Sequence, residues 1–451
     1  MSRKVNNSLD LNTISEKDLI KVLRISPRLA KRILALRPFS ALDQVNAIWG
    51  IDRETLDKIG EIFVFPENID EKREGADEEI ELPVYLTEHL EKVKPEASEK
   101  PIGRFRKFVA ALLSTDDTAE PEQPKPSKPP FAWKPALILA VILVVGAIFR
   151  FSGLNWDEGF HQHPDERYMT MVAEQIRPVS GFSTYFDTAN STLNPLKHGS
   201  YTYGMLPLFV TRMVAQWVNM ASYDSITLVG RFLSGLFDLA AIWALYLLAL
   251  RLYNRKVALL AAALFAAAVF PIQMSHFFTV DSFATVFVIL SFYTALHAIP
   301  LDKPGRKVTK ENLKYFAYFG FLVGLAGACK VNTLPVIAIL FLAAAIYLLI
   351  EWKQPNYLVI VVRIAFGLLL AVLLTALAFR VFQPYAFNGP SITNFSLNER
   401  WLSVIKEVTN QVAGNSEWPP NHHWTNRPIQ YSWVNMVVWG MGIPLGLAAW
   451  A

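Results

Sequence analysis

The stretch His161-Gln162-His163-Pro164-Asp165-Glu166-Arg167 follows a long hydrophobic segment and concentrates imidazoles and carboxylates where that segment ends. Pro164 suits the first position of a helix, because its missing N–H would be unpaired there. Asp165 and Glu166 then fall in the first turn, where the helix dipole favours carboxylates. The apolar residues that follow, at spacings of three and four, are Tyr168, Met169, Val172 and Ile176. This pattern predicts a short amphipathic helix on a membrane surface with both carboxylates at its exposed start. The plainer alternative is that the two acids only cap the helix.

The composition indicates a membrane protein with several spans. Of the 451 residues, 52% are hydrophobic, which is too apolar for a soluble enzyme. The net charge of +4 is small for this length and does not by itself point to nucleic acid. A single cysteine, Cys329, excludes an internal disulfide and a cysteine-based metal cluster. The polar N-terminus lacks an export pattern, and the first apolar span begins near Phe131, so we expect a soluble part before it.

Residues 9–65 read as short amphipathic helices that form a small soluble domain. Ser15 followed by Asp18 is a capping pattern. The segment resembles the tandem helix-hairpin-helix domain of the bacterial competence DNA receptor. That family binds DNA phosphates through backbone N–H groups of glycine-containing hairpins, but the first hairpin here has Arg24-Ile25-Ser26 in place of glycines. The second keeps Gly50 but has Asp52, which would repel phosphate. The resemblance therefore favours a protein-interaction or vestigial module, with DNA binding as the lesser alternative.

Residues 66–130 are charged, rich in Pro and Glu, and poor in aromatics, which predicts a flexible linker. Within it, residues 102–113 form a basic amphipathic segment containing Arg104, Arg106 and Lys107. Such a segment suits the surface of an anionic membrane, and an ordinary soluble helix is the alternative.

Eight apolar segments are predicted to be spans, and charge sets their orientation. They are 131–149, 226–250, 257–272, 283–299, 316–328, 334–350, 357–379 and 434–451. A ninth segment, 205–220, is short and carries Arg212. Basic connections around Arg251 and Lys303 and the basic tail around Lys125 share the cytoplasmic side only if 205–220 does not cross. We therefore predict a re-entrant or interfacial helix at 205–220 and eight spans in the cell membrane. The N-terminus is then cytoplasmic, and the polar motifs gather on the outer face.

Three motifs in this order and on this side carry a resemblance to a family. They are the acidic loop His163-Pro164-Asp165-Glu166-Arg167, the helix start Gly230-Arg231-Phe232-Leu233-Ser234, and the loop 275–282, which reads SHFFTVDS. Residues 134–451 resemble polytopic GT-C glycosyltransferases. These include the protein O-mannosyltransferases, the aminoarabinose transferases of lipid A and oligosaccharyltransferase, and the bacterial phospholipid-carrier-dependent enzymes are the nearest group. The resemblance implies an all-α transmembrane bundle. Since the family usually carries further spans, we expect this chain to be truncated at its C-terminus.

The resemblance also implies a reaction, namely transfer of a sugar from a polyprenyl-phosphate carrier at the extracytoplasmic face to a protein, lipid or glycan acceptor. An inverting displacement needs a base for the acceptor hydroxyl, and the family's first-loop acid falls on Asp165. Glu166 would orient Asp165 or share a metal with it. Asp281 matches the second-loop acid, with the alternative that it caps the fourth span.

Further residues are candidates for holding the donor. Phosphate calls for cationic side chains, and four of them lie near the predicted outer face: Lys197, Arg231, Lys330 and Arg380. Each has the alternative of reaching only to lipid headgroups. His163 and His276 are candidates for substrate contact, and Tyr201 and Tyr203 for stacking on sugar. No metal ion is required, but a divalent cation (Mg or Mn) on His161, His163 and Asp165 stays open. Asp238 lies at membrane depth and must face the interior, paired or functional.

Other functions stay open beside the glycosyltransferase. A transporter or flippase for lipid-linked sugar would carry polar residues in several spans, and apart from Asp238 the spans here are clean. A membrane-anchored DNA- or protein-binding module would work through residues 9–65. A catalytically inactive scaffold of the same fold is the last alternative.

Overall fold

The computed structural model describes residues 9–23, 25, 27–37, 39, 45, 53–64, 133–302, 308–354, 356–415 and 427–450. The chain divides into two compact units, Met1–Ser98 and Glu99–Ala451. The predicted linker, including the basic segment 102–113, lies outside the described residues. So do the hairpin positions Arg24, Ser26, Gly50 and Asp52.

In the described part of the N-terminal unit, three short helices surround a small apolar core. They are α1 (Glu16–Leu23), α2 (Pro27–Ala35) and α3 (Arg53–Ile62). Two-residue strands, β1 (Leu9–Asp10) and β2 (Phe63–Val64), pair in parallel and bring the ends of the unit together. The Asp18 N–H donates to Ser15 Oγ at 3.3 Å, which confirms the predicted capping pattern. Apolar side chains from all three helices, Leu19, Ile33 and Ile59 among them, are fully buried.

The second unit is a bundle of apolar helices. Its helices are α4 (Trp133–Phe151), α5 (Pro164–Gln175), α6 (Phe182–Phe186), α7 (Met205–Trp217), α8 (Tyr223–Leu252), α9 (Arg255–Ala267), α10 (Val269–Ser275), α11 (Asp281–Ala298), α12 (Leu313–Cys329), α13 (Ile337–Ile350), α14 (Tyr357–Phe382), α15 (Glu399–Val412), α16 (Ile429–Asn435) and α17 (Ile443–Ala448). Single-turn helices precede several of them, at Pro195–His198, Lys310–Asn312, Val331–Val336 and Pro384–Ala386. With the helical N-terminal unit, this confirms the predicted all-α polytopic fold.

Five helices in the described part of the chain are long and apolar enough to cross a membrane. They are α4, α8, α11, Val331–Ile350 (which contains α13) and α14, and the pair α9–α10, bent by 56°, makes a sixth if it is one span. The predicted count of eight spans is therefore too high by this measure. The predicted span 316–328 lies in α12, which has 17 residues. The predicted span 434–451 is broken, because a π-helix at Met436–Gly440 and a positive φ of 81° at Gly442 separate α16 from α17. Helix α7, with 13 residues, is about 20 Å long and too short for a hydrocarbon core of ~30 Å.

Asp238 faces the interior of the bundle, as the sequence predicted. It is 2% exposed, and its Oδ2 lies 2.5 Å from the Arg150 Nε. Arg150 also donates to the Ala266 carbonyl oxygen at 2.9 Å, at the end of α9 where the bent pair breaks. The pair thus neutralises a carboxylate at membrane depth and satisfies a carbonyl group that the broken helix leaves without an intrahelical partner.

Helix ends that carry polar chemistry gather at one end of the bundle. Helix α4 ends there, α8 and α11 begin there, and α12 ends there at Cys329. Helix α5 lies at this end, with Met169, Val172 and Ile176 at most 1% exposed, which confirms its predicted apolar face.

Candidate active site

A cleft of about 520 Å³ opens at this end of the bundle. It brings together four of the residues singled out in the sequence, Asp165, Asp281, Lys330 and Tyr203. These residues come from the start of α5, the start of α11, the end of α12 and the segment before α7. Two acids and a lysine that are far apart in the sequence therefore line the same cleft.

Gly204 lets the segment before α7 approach α12. A Cβ at this position would lie 2.1 Å from the Cys329 carbonyl oxygen and 2.2 Å from that of Ala328. Real side chains do not fit at such distances, so a larger residue would push Tyr203 away from Lys330. The close contact explains how the segment 202–204 comes to line the cleft.

Asp165 is the second residue of α5 and is exposed to the cleft. The Tyr203 hydroxyl forms a hydrogen bond with its carboxylate. Burial, the negative charge of Asp165 and this hydrogen bond together raise the pKa of Tyr203 well above its usual range. Tyr203 therefore stays protonated and donates to Asp165, which orients the carboxylate. Asp165 forms no ion pair with the residues that the structure describes.

Asp281 forms an ion pair with Lys330 in the cleft. It is the first residue of α11, and its Oδ1 lies 2.7 Å from the Lys330 Nζ. The side chains of Asp281 and Lys330 are 37% and 44% exposed, so both still reach solvent in the cleft. The helix dipole favours the carboxylate at this position. The capping alternative is wrong, because Val280 is the N-cap residue and no side chain caps this helix.

Glu166 is not at an exposed helix start, so that prediction was wrong. It is fully buried, and its carboxylate accepts hydrogen bonds from the Arg231 Nε at 2.7 Å and the Arg231 Nη2 at 2.8 Å. Arg231 also donates to Asp157 at 3.0 and 2.8 Å. The Phe278 N–H donates to Glu166 at 2.9 Å. Arg231 therefore neither contacts the cleft nor reaches headgroups. It joins three segments of chain through two buried carboxylates, and it fixes the loop that leads to Asp281.

The carboxylate of Asp157 makes this cluster sensitive to acid. Burial alone would raise its pKa, but the hydrogen bonds and charge of Arg231 outweigh burial and lower the pKa to about 2. A carboxyl whose pKa is lower in the folded state contributes stability above its unfolded pKa of ~3.9. That contribution is lost as the pH falls towards 2. We expect the unfolding temperature of the solubilised protein to fall between pH 5 and pH 3, and to fall less in an Asp157→Asn variant. If the unfolding temperature fell equally with pH in the two proteins, Asp157 would not be the source of the acid sensitivity.

Ring nitrogens of His163 and His276 contact backbone groups. His163 Nδ1 accepts the Glu166 N–H at 3.2 Å, which caps α5, and its ring stacks on Phe277 with centroids 4.3 Å apart. The two ring nitrogens of His276 lie 2.8 and 2.9 Å from the carbonyl oxygens of Ile272 and Ser152. Neither residue lines the cleft. In the described part of the chain, no group of three or more His, Cys, Asp or Glu side chains could hold a metal ion. The alternative site on His161, His163 and Asp165 thus has no support.

Two further cations lie outside the cleft. Lys197 is exposed on the single-turn helix Pro195–His198. Arg380 is fully buried, and it donates to the carbonyl oxygens of Ser391 at 2.8 Å and Asn394 at 3.1 Å. Its guanidinium also lies 4.7 Å from the centroid of the Phe186 ring. The structure therefore gives Arg380 a role in holding the chain after α14, and neither residue lines the cleft.

Two features of the site lay beyond what the sequence indicated. The first is Asp157, the second carboxylate that binds Arg231. It lies close to the end of the first span and has no motif around it. Helix α15 adds apolar residues to the lining of the cleft, and only the amphipathic spacing of 399–412 could have indicated this.

Comparison with known proteins bears on this arrangement. Residues 214–381 match the family model described as dolichyl-phosphate-mannose-protein mannosyltransferase. This match confirms the resemblance to GT-C glycosyltransferases. Residues 5–63 match the helix-hairpin-helix motif, which confirms the predicted nature of the N-terminal domain. No curated protein matches the chain.

Solved structures of the same broad kind are similar to the chain at low identity. The S. cerevisiae protein O-mannosyltransferase complex bound to the sugar donor is 16% identical, with a TM-score of 0.43 over 63% of this chain and 36% of that one. The Archaeoglobus fulgidus oligosaccharyltransferase in the apo form is also 16% identical, with a TM-score of 0.43 over 68% of this chain and 37% of that one. The chain thus spans a little over a third of the length of these structures.

Proposed function

We propose that this protein is a membrane glycosyltransferase that moves a sugar from a polyprenyl-phosphate carrier to a hydroxyl of a protein, lipid or glycan. The observation that carries the proposal is that Asp165, exposed and free of any ion pair within the described residues, shares a cleft with the Asp281–Lys330 pair. A carboxylate of this kind is available to accept a proton, and a partly solvated lysine is available to phosphate.

The chemistry is an inverting displacement with Asp165 as the base. The acceptor hydroxyl oxygen forms a bond to the anomeric carbon from the face opposite the phosphate. Its proton passes to the Asp165 carboxylate, and the bond between the anomeric carbon and the phosphate oxygen breaks with its electron pair on the phosphate. The interaction with Tyr203 helps to hold the Asp165 carboxylate in the cleft.

Lys330 would stabilise the departing phosphate, and Asp281 would hold Lys330 in place. The Nζ–Oδ1 distance of 2.7 Å positions the ammonium at the start of α11. The ammonium has three donors, of which Asp281 uses one, so two remain for phosphate oxygens. A fixed cation at the site of developing negative charge lowers the barrier without reorganisation.

Topology supports placing the cleft on the extracytoplasmic side. The opposite end of the bundle carries basic residues at the start of α9 and before α12, including Arg255, Lys256 and Lys310. Short basic connections stay in the cytoplasm. The cleft would then open to the outside, where the lipid carrier presents its sugar.

The test is transfer from a panel of polyprenyl-phosphate sugars by the full chain in proteoliposomes, comparing wild type with Lys330→Met. We expect the variant to lose about 10- to 100-fold in kcat. This loss is smaller than the ~10²–10³-fold loss that follows removal of a hydrogen-bond donor from a site closed to water, because Lys330 is 44% exposed. Lys406→Met removes an exposed lysine of α15 outside the cleft and should keep full activity.

Lys330→Arg should recover part of the rate, since the charge is kept while the geometry changes. Absence of transfer from every donor by the wild-type protein would refute the proposal and favour a scaffold or a transporter. Equal rates in Lys330→Met and wild type would leave the transferase but remove Lys330 from its mechanism.

A further inference from the structure

Helix α15 contributes apolar side chains to the lining of the cleft. Three of its apolar residues, Ile405, Val408 and Val412, line the cleft. Their spacings of three and four place them in one stripe along the helix. The stripe is only partly covered, since Ile405 and Val408 are half-buried and Val412 is 76% exposed.

The first turns of α15 are anchored to the bundle, and Ile405 packs partly against the same core, whereas Val412 at the other end of the stripe is exposed. Trp401 and Val404 are 7% and 3% exposed, and the Trp401 ring packs edge-on against Phe379 with centroids 6.3 Å apart. At the start of the helix, Asn398 accepts the Arg400 N–H at 2.9 Å and donates to the Tyr385 carbonyl oxygen at 3.1 Å. Burial by the protein itself therefore accounts for the first half of the apolar face only. The second half presents uncovered hydrocarbon to the cleft.

The lining of the cleft has two kinds of chemistry. Part of it carries the Lys330 ammonium beside Asp281, and part carries the apolar stripe together with Val280 and Val331. A cation and an apolar surface in one cleft suit a ligand with an anionic head and a hydrocarbon chain. The volume of about 520 Å³ is in the range of pockets that hold ligands of drug size, so it holds the head and the beginning of a chain.

We infer that the stripe of Ile405, Val408 and Val412 binds the first isoprene units of the lipid carrier and so makes α15 the element that selects a lipid-phosphate donor. This inference rests on the proposed function and adds to it the residues that recognise the hydrocarbon. Lys330 holds the phosphate, the stripe holds the chain that is bonded to one side of the phosphate, and the sugar, bonded to the other side, lies next to Asp165. The remainder of the chain leaves into the bilayer.

The experiment measures binding of radiolabelled farnesyl phosphate to the full chain in nanodiscs, with empty nanodiscs subtracted and inorganic phosphate and farnesol as competitors. The test variant is Val408→Asn, which is similar in size but polar. Burying a few methylene groups against one side chain corresponds to about a tenfold change in affinity. We expect Val408→Asn to weaken farnesyl phosphate binding about tenfold and Ile405→Asn/Val408→Asn to weaken it further.

Leu402→Asn is the matched control. Leu402 is an apolar residue of the same helix, 41% exposed, that does not line the cleft. It should leave binding unchanged, and comparable unfolding temperatures for the variants would show that α15 remains folded. Farnesol and inorganic phosphate alone should each compete far more weakly than farnesyl phosphate. Farnesol can contact only the apolar stripe, and phosphate can contact only Lys330.

The outcomes separate this inference from the proposed function. Three outcomes would each overturn the inference: equal binding by wild type and Val408→Asn, an equal loss of binding in Leu402→Asn, or no binding of farnesyl phosphate by the wild type. After either of the first two, the stripe would be a surface that only contacts the bilayer. Sugar transfer that depends on Lys330 but not on Val408 would refute the inference while the transferase stands. Binding that depends on Val408, without transfer from any donor, would uphold the lipid site while the transferase fails.

Discussion

Replacing Asp165 by Asn should lower kcat for sugar transfer by about 10²–10⁴-fold, which is the contribution of a positioned general base. The amide is close in shape to the carboxylate, and its oxygen can still accept the hydrogen bond from Tyr203 that holds Asp165 in the structure. What the amide cannot do is take the proton of the acceptor hydroxyl. The KM for the donor should change little, because the phosphate site at Lys330 is untouched. Initial rates in proteoliposomes at saturating donor measure both quantities.

The matched control for this variant is Asp224→Asn. Asp224 is also an exposed aspartate in the first turn of a helix, α8, but it does not line the cleft. It should transfer sugar at the wild-type rate, which excludes a general effect of removing a carboxylate from a helix start. Wild-type rates in Asp165→Asn would contradict the assignment of the base and transfer that role to Asp281. Partial activity in Asp165→Glu would agree with a base whose position, and not only its charge, matters.

Local patterns were sufficient to predict helix α5 and its apolar face. Pro164 at the first position and the spacing from Met169 to Ile176 both depend only on neighbouring residues, and the structure confirms them. The prediction of an inward-facing Asp238 needed only the cost of a charge at membrane depth. Its partner Arg150 is 88 residues away in sequence, and no local rule connects the two.

Glu166 shows where local reasoning fails. Successive residues of an α-helix point about 100° apart, so Asp165 and Glu166 cannot both face the same surroundings. The sequence does not say which of them faces outward, since the deciding partner, Arg231, lies 65 residues further along. The same holds for the cleft, in which Asp165, Asp281 and Lys330 meet only because α5, α11 and α12 end at one side of the bundle.

Hydropathy alone predicted a regular span at residues 434–451, where the structure has a break. It responds to composition, and residues 434–451 are apolar throughout. The chain nevertheless turns at Gly442, whose positive φ ends the regular helix. The bend between α9 and α10 is equally invisible to hydropathy, because Ala268, where the two helices meet, is a good helix former.

Removing the charge of Arg231 should destabilise the folded protein by about 3–5 kcal/mol, the usual cost of breaking a buried ion pair by deleting one partner. Arg231 is 1% exposed and is the cation to which both Asp157 and Glu166 bind. In Arg231→Met, two carboxylates would remain without a cation in a site closed to water. Thermal unfolding of the solubilised protein measures the loss. Arg231→Lys should lie between wild type and Arg231→Met, because a lysine keeps the charge but cannot bind two carboxylates in the forked geometry seen here.

A triple variant separates the buried charge from the loss of packing. Arg231→Met combined with Asp157→Asn and Glu166→Gln has no uncompensated charge, so it should regain much of the lost stability, as exchanges of buried ion pairs for neutral groups often do. Arg400→Met, which removes an exposed arginine of α15, should shift stability by no more than about 0.5 kcal/mol. If Arg231→Met proved as stable as wild type, the cluster would not be what fixes the loop before Asp281. If instead the triple variant stayed as unstable as Arg231→Met, the aliphatic packing of the arginine, and not its charge, would be what joins α5, α8 and the loop at Phe278.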